Sequence, residues 1–231
     1  MDFTIIDSKK HEEIKKCVLG SGRFKLYKSS FYKEYDPIDV QGFAVQNALY
    51  QIPTIELIEF LKQWVIPGKT IEVAAGHGFI GKCLRIPSTD LKIQNYNEIK
   101  LYYKLLKQPT IAYPERVKTL GALEAIKKYK PKVVIASWCT SKIDINGQEL
   151  NAFGPDEEQI INNVDTYIMI GNDFTHGTKL IRKYPHRVYT AKWLVSRSAR
   201  HDLNRIYIWT KSDYKEIDNE YFKVTYEDCC L

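Results

Sequence analysis

The sequence predicts an α/β protein with a doubly wound, mostly parallel seven-stranded sheet and an antiparallel C-terminal hairpin. Short apolar segments alternate with segments of helical periodicity between residues 50 and 171, and strands that alternate with helices form parallel sheets covered on both faces. Two strand-like segments then follow with no helix between them, which favours an antiparallel pair. The 231 residues, 44% of them hydrophobic, are enough for a large core.

The first regular segment is a helix over residues 55–65. Thr54 can accept from its first-turn amides, and apolar residues recur every three to four positions. Pro67 and Gly68 end it. Further helices are predicted over residues 97–107, 122–130 and 157–164, with another beginning near residue 80. Strands are predicted at residues 70–75, 91–94, 116–120, 132–138, 166–171, 187–195 and 204–210.

Residues 1–48 differ from the rest, and we interpret them as an N-terminal extension before a domain that spans residues 49–231. A short helix over residues 11–19 should end at the Gly-Ser-Gly of residues 20–22. The segment that follows is irregular and rich in Tyr, Phe and Lys. It is either a lid or anion-contacting arm over a site, or an aromatic flap packed on the body.

The composition argues against membrane, secreted and metal-binding classes. No apolar run approaches the roughly 20 residues of a bilayer span, and the start MDFTIIDSKK lacks the pattern of a signal peptide. The five cysteines show no metal-ligand spacing, so we expect reduced thiols in a cytoplasmic protein without a metal. The ending Cys229-Cys230-Leu231 is not a prenylation box, because Asp228 is the fourth residue from the end.

Positive charge is concentrated in one segment of the chain. The net charge is +6, and residues 179–205 carry eight Lys or Arg against one acid. Such a local excess suits a polyanion such as nucleic acid. A solvated face that binds nothing is the alternative. On the first interpretation the contacts would come from Lys192, Arg197, Arg200 and Arg205.

A glycine-rich loop joins the predicted strand at residues 70–75 to the next helix. Its sequence, Gly76-His77-Gly78-Phe79-Ile80-Gly81, would let the backbone approach a ligand closely, beside the free amides of a helix N-terminus. The pattern is formally that of dinucleotide-binding proteins. A nicotinamide oxidoreductase is the least favoured function, because Glu72 lies within the strand and the sheet ends antiparallel.

With Glu72 included, the segment TIEVAAGHG at residues 70–78 resembles the first motif of class I S-adenosylmethionine-dependent methyltransferases, acid–x–Gly–x–Gly–x–Gly. Residues 50–61 and 113–138 resemble segments of uncharacterised methyltransferase-like proteins, and the late hairpin matches the sixth and seventh strands of that fold. The resemblance covers roughly residues 45–210. It implies a class I methyltransferase-like Rossmann fold with S-adenosylmethionine as the cofactor.

The resemblance also implies where the cofactor lies. Glu72 would be near its methionine end, with Ala74 where the family has glycine. The family acid that ends the second strand binds the ribose hydroxyls, and counting 17 residues from Gly78 puts Asn95 at that place. The acid that meets the adenine after the third strand is replaced by Gly121. The implied cofactor residues are Glu72, Ala74, Gly76, His77, Gly78, Asn95, Ala122, Leu123 and Ser137.

The end of the fourth predicted strand carries the first catalytic candidates. Ser137, Trp138 and Cys139 occupy the place that faces the transferred methyl group in the family, without its Asn/Asp-Pro-Pro-aromatic box. Trp138 would stack on a base or adenine ring, or else cap the core. Cys139 would be a nucleophile if its thiol were acidified, and an inert buried residue otherwise.

Polar residues at two loops are the other candidates. Asn172, Asp173 and His176 follow the fifth strand and would either orient a substrate, with Asp173 catalytic, or form an ordinary turn. His77 is either a base beside the ligand or a surface-loop histidine.

The sequence thus favours an S-adenosylmethionine-dependent methyltransferase acting on nucleic acid. The alternative is a catalytically inactive methyltransferase-like scaffold that binds nucleic acid or a protein partner. Ala74, Asn95 and Gly121 favour the scaffold, because two of the three implied acidic contacts are missing; Glu72 and the central glycines favour the enzyme.

Overall fold

A computed structural model describes residues 10–20, 22–212 and 225–226. The tail Cys229-Cys230-Leu231 and residues 1–9 lie outside the described residues. The helices are α1 (His11–Leu19), α2 (Ser29–Lys33), α3 (Pro37–Gln46), α4 (Ile55–Lys62), α5 (Phe79–Leu84), α6 (Asn97–Leu105), α7 (Ala122–Tyr129), α8 (Glu157–Asn163) and α9 (Asp173–His176). The strands are β1 (Gln51–Ile52), β2 (Thr70–Val73), β3 (Ser88–Asp90), β4 (Val117–Thr119), β5 (Val133–Ser137), β6 (Thr166–Asn172), β7 (Arg187–Tyr189), β8 (Val195–Ser196), β9 (Asn204–Thr210) and β10 (Thr225–Tyr226).

The main sheet has the order β4-β3-β2-β5-β6-β9-β7 within the described residues, and β10 extends it beyond β7. The five strands from β4 to β6 are parallel, whereas β9 runs antiparallel to both of its neighbours. This arrangement confirms the predicted mostly parallel α/β sheet with an antiparallel pair at its end. Because the strand order reverses beside β2, a ligand crevice is expected at the carboxyl ends of β2 and its neighbours.

Both faces of the sheet are buried, as a doubly wound sheet requires. Val134 and Ala136 of β5 pack on one face, in a core shared with α7 and α8. Val133 and Ile135 of the same strand pack on the other face, in a core shared with α4 and α5. The alternation follows from the two-residue period of a strand. The predicted cap of α4 is present, with Thr54 Oγ1 accepting from the Leu57 N–H at 3.2 Å.

Two of the predicted strands are wrong in position. Residues 91–94 are not a strand: β3 ends at Asp90, and Ile93–Asn95 forms a 3₁₀ turn. The Asp90 side chain accepts from the Lys92 N–H at 2.6 Å, a local bond that ends a strand by offering the backbone a turn instead. Residues 187–195 are not continuous either, because β7 ends at residue 189 and β8 pairs with β1 in a separate two-stranded sheet.

The N-terminal segment packs on the body as a small core of its own. Ile14, Val18, Tyr32 and Phe43 form a buried cluster with Val195 of β8. The segment is also tied down by polar contacts; one of them joins the Ser29 and Glu56 side chains at 2.9 Å. Of the two interpretations, the packed aromatic flap describes these contacts. The boundary at residue 48 stays a prediction.

Candidate functional site

A cavity of about 800 Å³ lies at the carboxyl ends of β2, β3 and β5. Three segments border it: residues 48–53 after α3, helix α6, and the loop at residues 150–156. Its size is within the range of roughly 300–1,000 Å³ typical of small-molecule sites. The position matches the crevice that the strand order predicts.

The glycine-rich loop forms one wall, but its residues have different roles. Ala74, Gly76 and His77 line the cavity. Ala74 and Gly76 have left-handed φ angles of 48° and 53°. Gly78 is buried with a φ of 64°, outside the cavity lining, and a Cβ there would lie 2.7 Å from Val117 Cγ2. The prediction that Gly78 contacts a cofactor is therefore corrected: this glycine serves the packing of the loop on β4.

Glu72 lies at the base of the cavity and ties the glycine loop to the neighbouring strand. Its Oε2 accepts from the Gly81 N–H at 2.9 Å and from the Ser88 hydroxyl at 2.7 Å. Burial raises the pKa of this carboxyl group to about 7, although both hydrogen bonds oppose the shift. Both bonds use one oxygen, so Oε1 has no hydrogen-bond partner among the residues described. That oxygen can accept from a ligand.

Asp90 is a cavity residue that the sequence reasoning missed. It ends β3 beside the glycine loop, lines the cavity and is 9% exposed. One carboxylate oxygen accepts from the Gly76 N–H at 2.9 Å and the other from Lys92. Burial raises the pKa of this carboxyl group. The predicted residue, Asn95, is exposed in the 3₁₀ turn and does not line the cavity, because the strand ends five residues earlier than the count assumed.

The start of α7 forms another part of the cavity wall. Ala122 and Leu123 line the cavity, next to Gly121; that they bind a cofactor stays a prediction. The only acid at this turn that lines the cavity, Glu124, accepts from the Gly121 N–H at 2.9 Å. The structure therefore places no free acid at Gly121, where the family has one. At the end of the second parallel strand, in contrast, an acid is present, and it is Asp90.

Ser137 and Trp138 line the cavity at the end of β5. Trp138 has a left-handed φ of 52°; its N–H donates to the Ile170 carbonyl at 2.8 Å and its Nε1–H to Gln51 Oε1 at 3.3 Å. Ser137 Oγ is buried without a hydrogen-bond partner. The indole is therefore fixed beside the cavity, outside the core that Trp138 was alternatively expected to cap.

The thiol of Cys139 is buried and held by internal contacts. The residue is 2% exposed, and its Sγ lies 3.4 Å from both Glu157 Oε1 and the Tyr167 hydroxyl. Burial, with the nearby Glu157 carboxylate, raises the pKa of this thiol to about 11. Cys139 lines the cavity, but because the thiolate is the nucleophile, its burial opposes the predicted catalytic role.

Asp173 is also misassigned, because its carboxylate is occupied by other side chains. Arg182 Nη1 lies 2.7 Å from Oδ1 and Arg205 Nε lies 2.9 Å from Oδ2, while the Tyr207 hydroxyl donates to Oδ1 at 2.8 Å. Asp173 does not line the cavity. Through Arg205 and Tyr207 of β9, the Asp173 carboxylate holds the start of α9 against that strand.

Two histidines, His77 and His176, border the cavity. Burial lowers the pKa of His77, whose Nε2 lies 3.2 Å from the Asn47 carbonyl. His176, 2% exposed, has a pKa lowered by burial to about 3. Its Nδ1 accepts from the Asn172 N–H at 3.0 Å, and its ring stands perpendicular to Trp138. Of the cluster at residues 172–176, the histidine is the member that joins the predicted site.

Four of the eight cations in the basic segment are ion-paired with carboxylates: Lys179, Arg182, Arg200 and Arg205. Lys179 is fully buried, with Nζ 2.8 Å from Glu157 Oε2. Arg205 is paired with Asp173, and Arg200 forms an exposed ion pair with Asp202 at 2.9 Å. Lys192 is exposed and away from the cavity, whereas Arg197 lines it. The eight charges therefore do not form one free surface for a polyanion.

The described part of the chain contains no group of three or more His, Cys, Asp or Glu placed to hold a metal ion. In residues 10–20, 22–212 and 225–226, every helix is too short or too polar to cross a bilayer.

Comparison with known proteins gives little more than a structural likeness. No protein-family model and no curated protein matches the chain. Among solved structures, it is similar to the crystal structure of a DNMT2 triple mutant from Spodoptera frugiperda, with a TM-score of 0.35 and 13% sequence identity. The match covers 68% of this chain and 55% of that one, so the chain spans about half the length of that protein.

Proposed function

We propose that the protein is an S-adenosylmethionine-dependent methyltransferase. The observation that carries the proposal is the convergence of Glu72, the glycine loop and Asp90 on one cavity. In the family that the motif resembles, the first-strand acid lies near the methionine end of the cofactor. The acid that ends the second strand binds the ribose hydroxyls. Asp90 supplies the acid that Asn95 could not.

The strand order also supports the proposal. The last strand pair is antiparallel and inserts β9 between β6 and β7, which agrees with the late hairpin of the class I fold. A nicotinamide enzyme is less favoured, because a buried acid in β2 and an antiparallel sheet end are both unusual for that class.

The residues at the cavity fit the chemistry of the cofactor. Each oxygen of Asp90 accepts one backbone N–H, which leaves lone pairs on both for a pair of hydroxyls. The free oxygen of Glu72 can accept from an ammonium group, and Ala122 and Leu123 offer an apolar surface to an adenine ring. When bound, the cofactor supplies a methyl group on a sulfonium, which is electrophilic without help from an acid.

The protein's own contribution is positioning. The Asp90–Gly76 hydrogen bond fixes the glycine loop against β3, and the Glu72–Gly81 bond fixes the helix that follows it. Trp138, held by Gln51, borders the cavity beside the same loop. Holding two reactants in line can by itself supply roughly 7–11 kcal/mol of rate enhancement. No nucleophilic side chain is needed, which agrees with the burial of the Cys139 thiol.

The test is calorimetric titration with S-adenosylmethionine and S-adenosylhomocysteine. Asp90→Asn should weaken binding about 10- to 150-fold, because one charge-assisted hydrogen bond contributes roughly 1.5–3 kcal/mol. Asn95→Ala is the matched control at the position favoured by counting, and it should leave binding unchanged. Thermal melting of both variants checks that they fold. No heat up to millimolar ligand with folded wild-type protein would reject the methyltransferase and favour the inactive scaffold.

A further inference from the structure

A row of four contacting side chains crosses the cavity. It runs from Arg197 through Tyr50 and Trp138 to His176, and all four residues line the cavity. The Arg197 Cζ lies 4.5 Å from the centroid of the Tyr50 ring. The Tyr50 and Trp138 centroids are 6.2 Å apart, and those of Trp138 and His176 are 5.2 Å apart.

His176 presents its Nε2 to the cavity. Its Nδ1 lies 3.0 Å from the Asn172 backbone nitrogen and 3.2 Å from the Asn172 carbonyl oxygen. We take the tautomer that uses the shorter contact, in which Nδ1 accepts from the Asn172 N–H and the proton is on Nε2. In that tautomer the Nε2–H has no acceptor among the residues described. The side chain is almost fully buried and faces a cavity, so a ligand is the available acceptor.

Arg197 is the cation of the basic segment that lines the cavity. Its backbone N–H donates to the Tyr50 carbonyl at 3.0 Å, and its Nη2 donates to Gln108 Oε1 at 2.8 Å. These bonds hold the guanidinium over the Tyr50 ring without neutralising it. Within the described ranges, Arg197 has no carboxylate partner, in contrast to Arg200 and Arg205.

The chemistry of the row defines what it would bind. Its cation suits an anion, its two flat aromatic faces suit a planar ring, and its terminal N–H suits a carbonyl oxygen or ring nitrogen. Four acids line the cavity: Glu72, Asp90, Glu124 and Asp156. None of them is hydrogen-bonded to the row within the described residues; they accept instead from the glycine loop, Ser88, Lys92, Gly121 and Gln159. The row itself therefore offers no carboxylate to a cationic amine. A nucleotide combines all three features: a phosphate, a planar base and acceptor atoms on its edge.

We propose that this row is the acceptor subsite and that its ligand is a nucleotide, with the phosphate at Arg197 and a base acceptor atom at the His176 Nε2–H. The proposal rests on the proposed function, since it names the substrate class of the same cavity. The nucleotide is either free or part of a polynucleotide, and both sources present the same chemistry.

The experiment is calorimetric titration with the four nucleoside 5′-monophosphates, the four nucleosides and single-stranded pentanucleotides, each with saturating S-adenosylhomocysteine. At least one monophosphate should bind about 10- to 100-fold more tightly than its nucleoside, as expected for a charge-assisted contact. Stronger binding of the monophosphate than of the pentanucleotide would identify a free nucleotide as the source, and the reverse order would identify a polynucleotide.

Two variants test the two ends of the row. Arg197→Gln should reduce monophosphate affinity to that of the nucleoside and leave nucleoside affinity unchanged. His176→Asn keeps an oxygen to accept from Asn172 while it removes the Nε2–H, and it should weaken nucleotide and nucleoside equally, about tenfold. Lys192→Gln, an exposed cation outside the cavity, is the matched control and should change neither.

The outcomes separate this inference from the proposed function. Retained S-adenosylhomocysteine binding in every variant shows that they fold. If that ligand binds and no nucleotide does, the acceptor assignment is overturned and the methyltransferase proposal stands. If Lys192→Gln weakens nucleotide binding and Arg197→Gln does not, the site lies on the basic surface and the row is refuted. If S-adenosylhomocysteine does not bind, the acceptor assignment falls with the proposed function.

Discussion

Glu72 should make the stability of the protein decrease with rising pH. Its folded-state pKa is raised from 4.5 to about 7, chiefly by burial. Between these two values the folded state binds a proton that the unfolded chain has released, so stability falls as the pH rises. The contribution is fully present below pH 4.5 and is lost above pH 7. At 1.36 kcal/mol per pKa unit, the loss is about 3 kcal/mol.

The perturbation that isolates this effect is Glu72→Gln. The amide keeps an oxygen to accept from Gly81 and Ser88, and it does not titrate. Urea denaturation of both proteins at pH 4.5 and pH 8 gives the difference in their free energies of unfolding. The variant should gain about 3 kcal/mol relative to the wild type over this range. Other titrating groups cancel in the difference. An unchanged difference across the range would refute the reasoning that Glu72 is a desolvated carboxylate.

Three further predictions concern residues whose roles the structure reassigns. Gly78→Ala should destabilise the protein by about 2–4 kcal/mol, because it adds both left-handed strain and overpacking. The control Gly68→Ala, where φ is 67° and no atom is near the new Cβ, should cost about 1 kcal/mol. Equal urea midpoints of the two variants would contradict this. Lys179→Met should cost about 3–5 kcal/mol because it leaves a buried carboxylate unpaired, and a thermal melt near that of the wild type would contradict the buried ion pair. Iodoacetamide at pH 8 should modify exposed Cys17 and leave Cys139 unmodified by mass spectrometry; rapid labelling of Cys139 would show an accessible thiolate.

The elements that could be predicted are those whose periodicity comes from burial. Helix α4 has its apolar stripe and its Thr54 cap in the sequence itself, and the central strands are apolar because helices cover both faces. Strand β3 is different: its three residues, Ser88, Thr89 and Asp90, are polar and all buried. Their burial depends on tertiary partners, which a hydrophobic pattern cannot show. The strand was therefore predicted at the apolar residues that follow, 91–94, and the ribose-binding position was assigned to Asn95 in place of Asp90.

Charge counting had a similar weakness. The excess of basic residues at 179–205 is a property of the chain, but whether a charge is free depends on its partners in space. Lys179 meets Glu157 from α8, and Arg205 meets Asp173 from the turn after β6. Only contacts across the fold decide this. Arg197 was among the predicted contacts, yet what distinguishes it is the cavity that it faces and the absence of a described carboxylate partner.

Two strained backbone positions lie at the cavity. Non-glycine residues in the left-handed region cost roughly 1–2 kcal/mol each. In the described chain, five of the seven such residues lie at a helix end or a turn, where this conformation is ordinary: Ala48, Arg85, Lys92, Lys107 and Lys130. The other two, Ala74 and Trp138, directly follow β2 and β5, and both line the cavity. Glycine would adopt the same angles with less strain at both positions. Because strained residues cluster at functional sites, these two favour the proposed enzyme over the inactive scaffold.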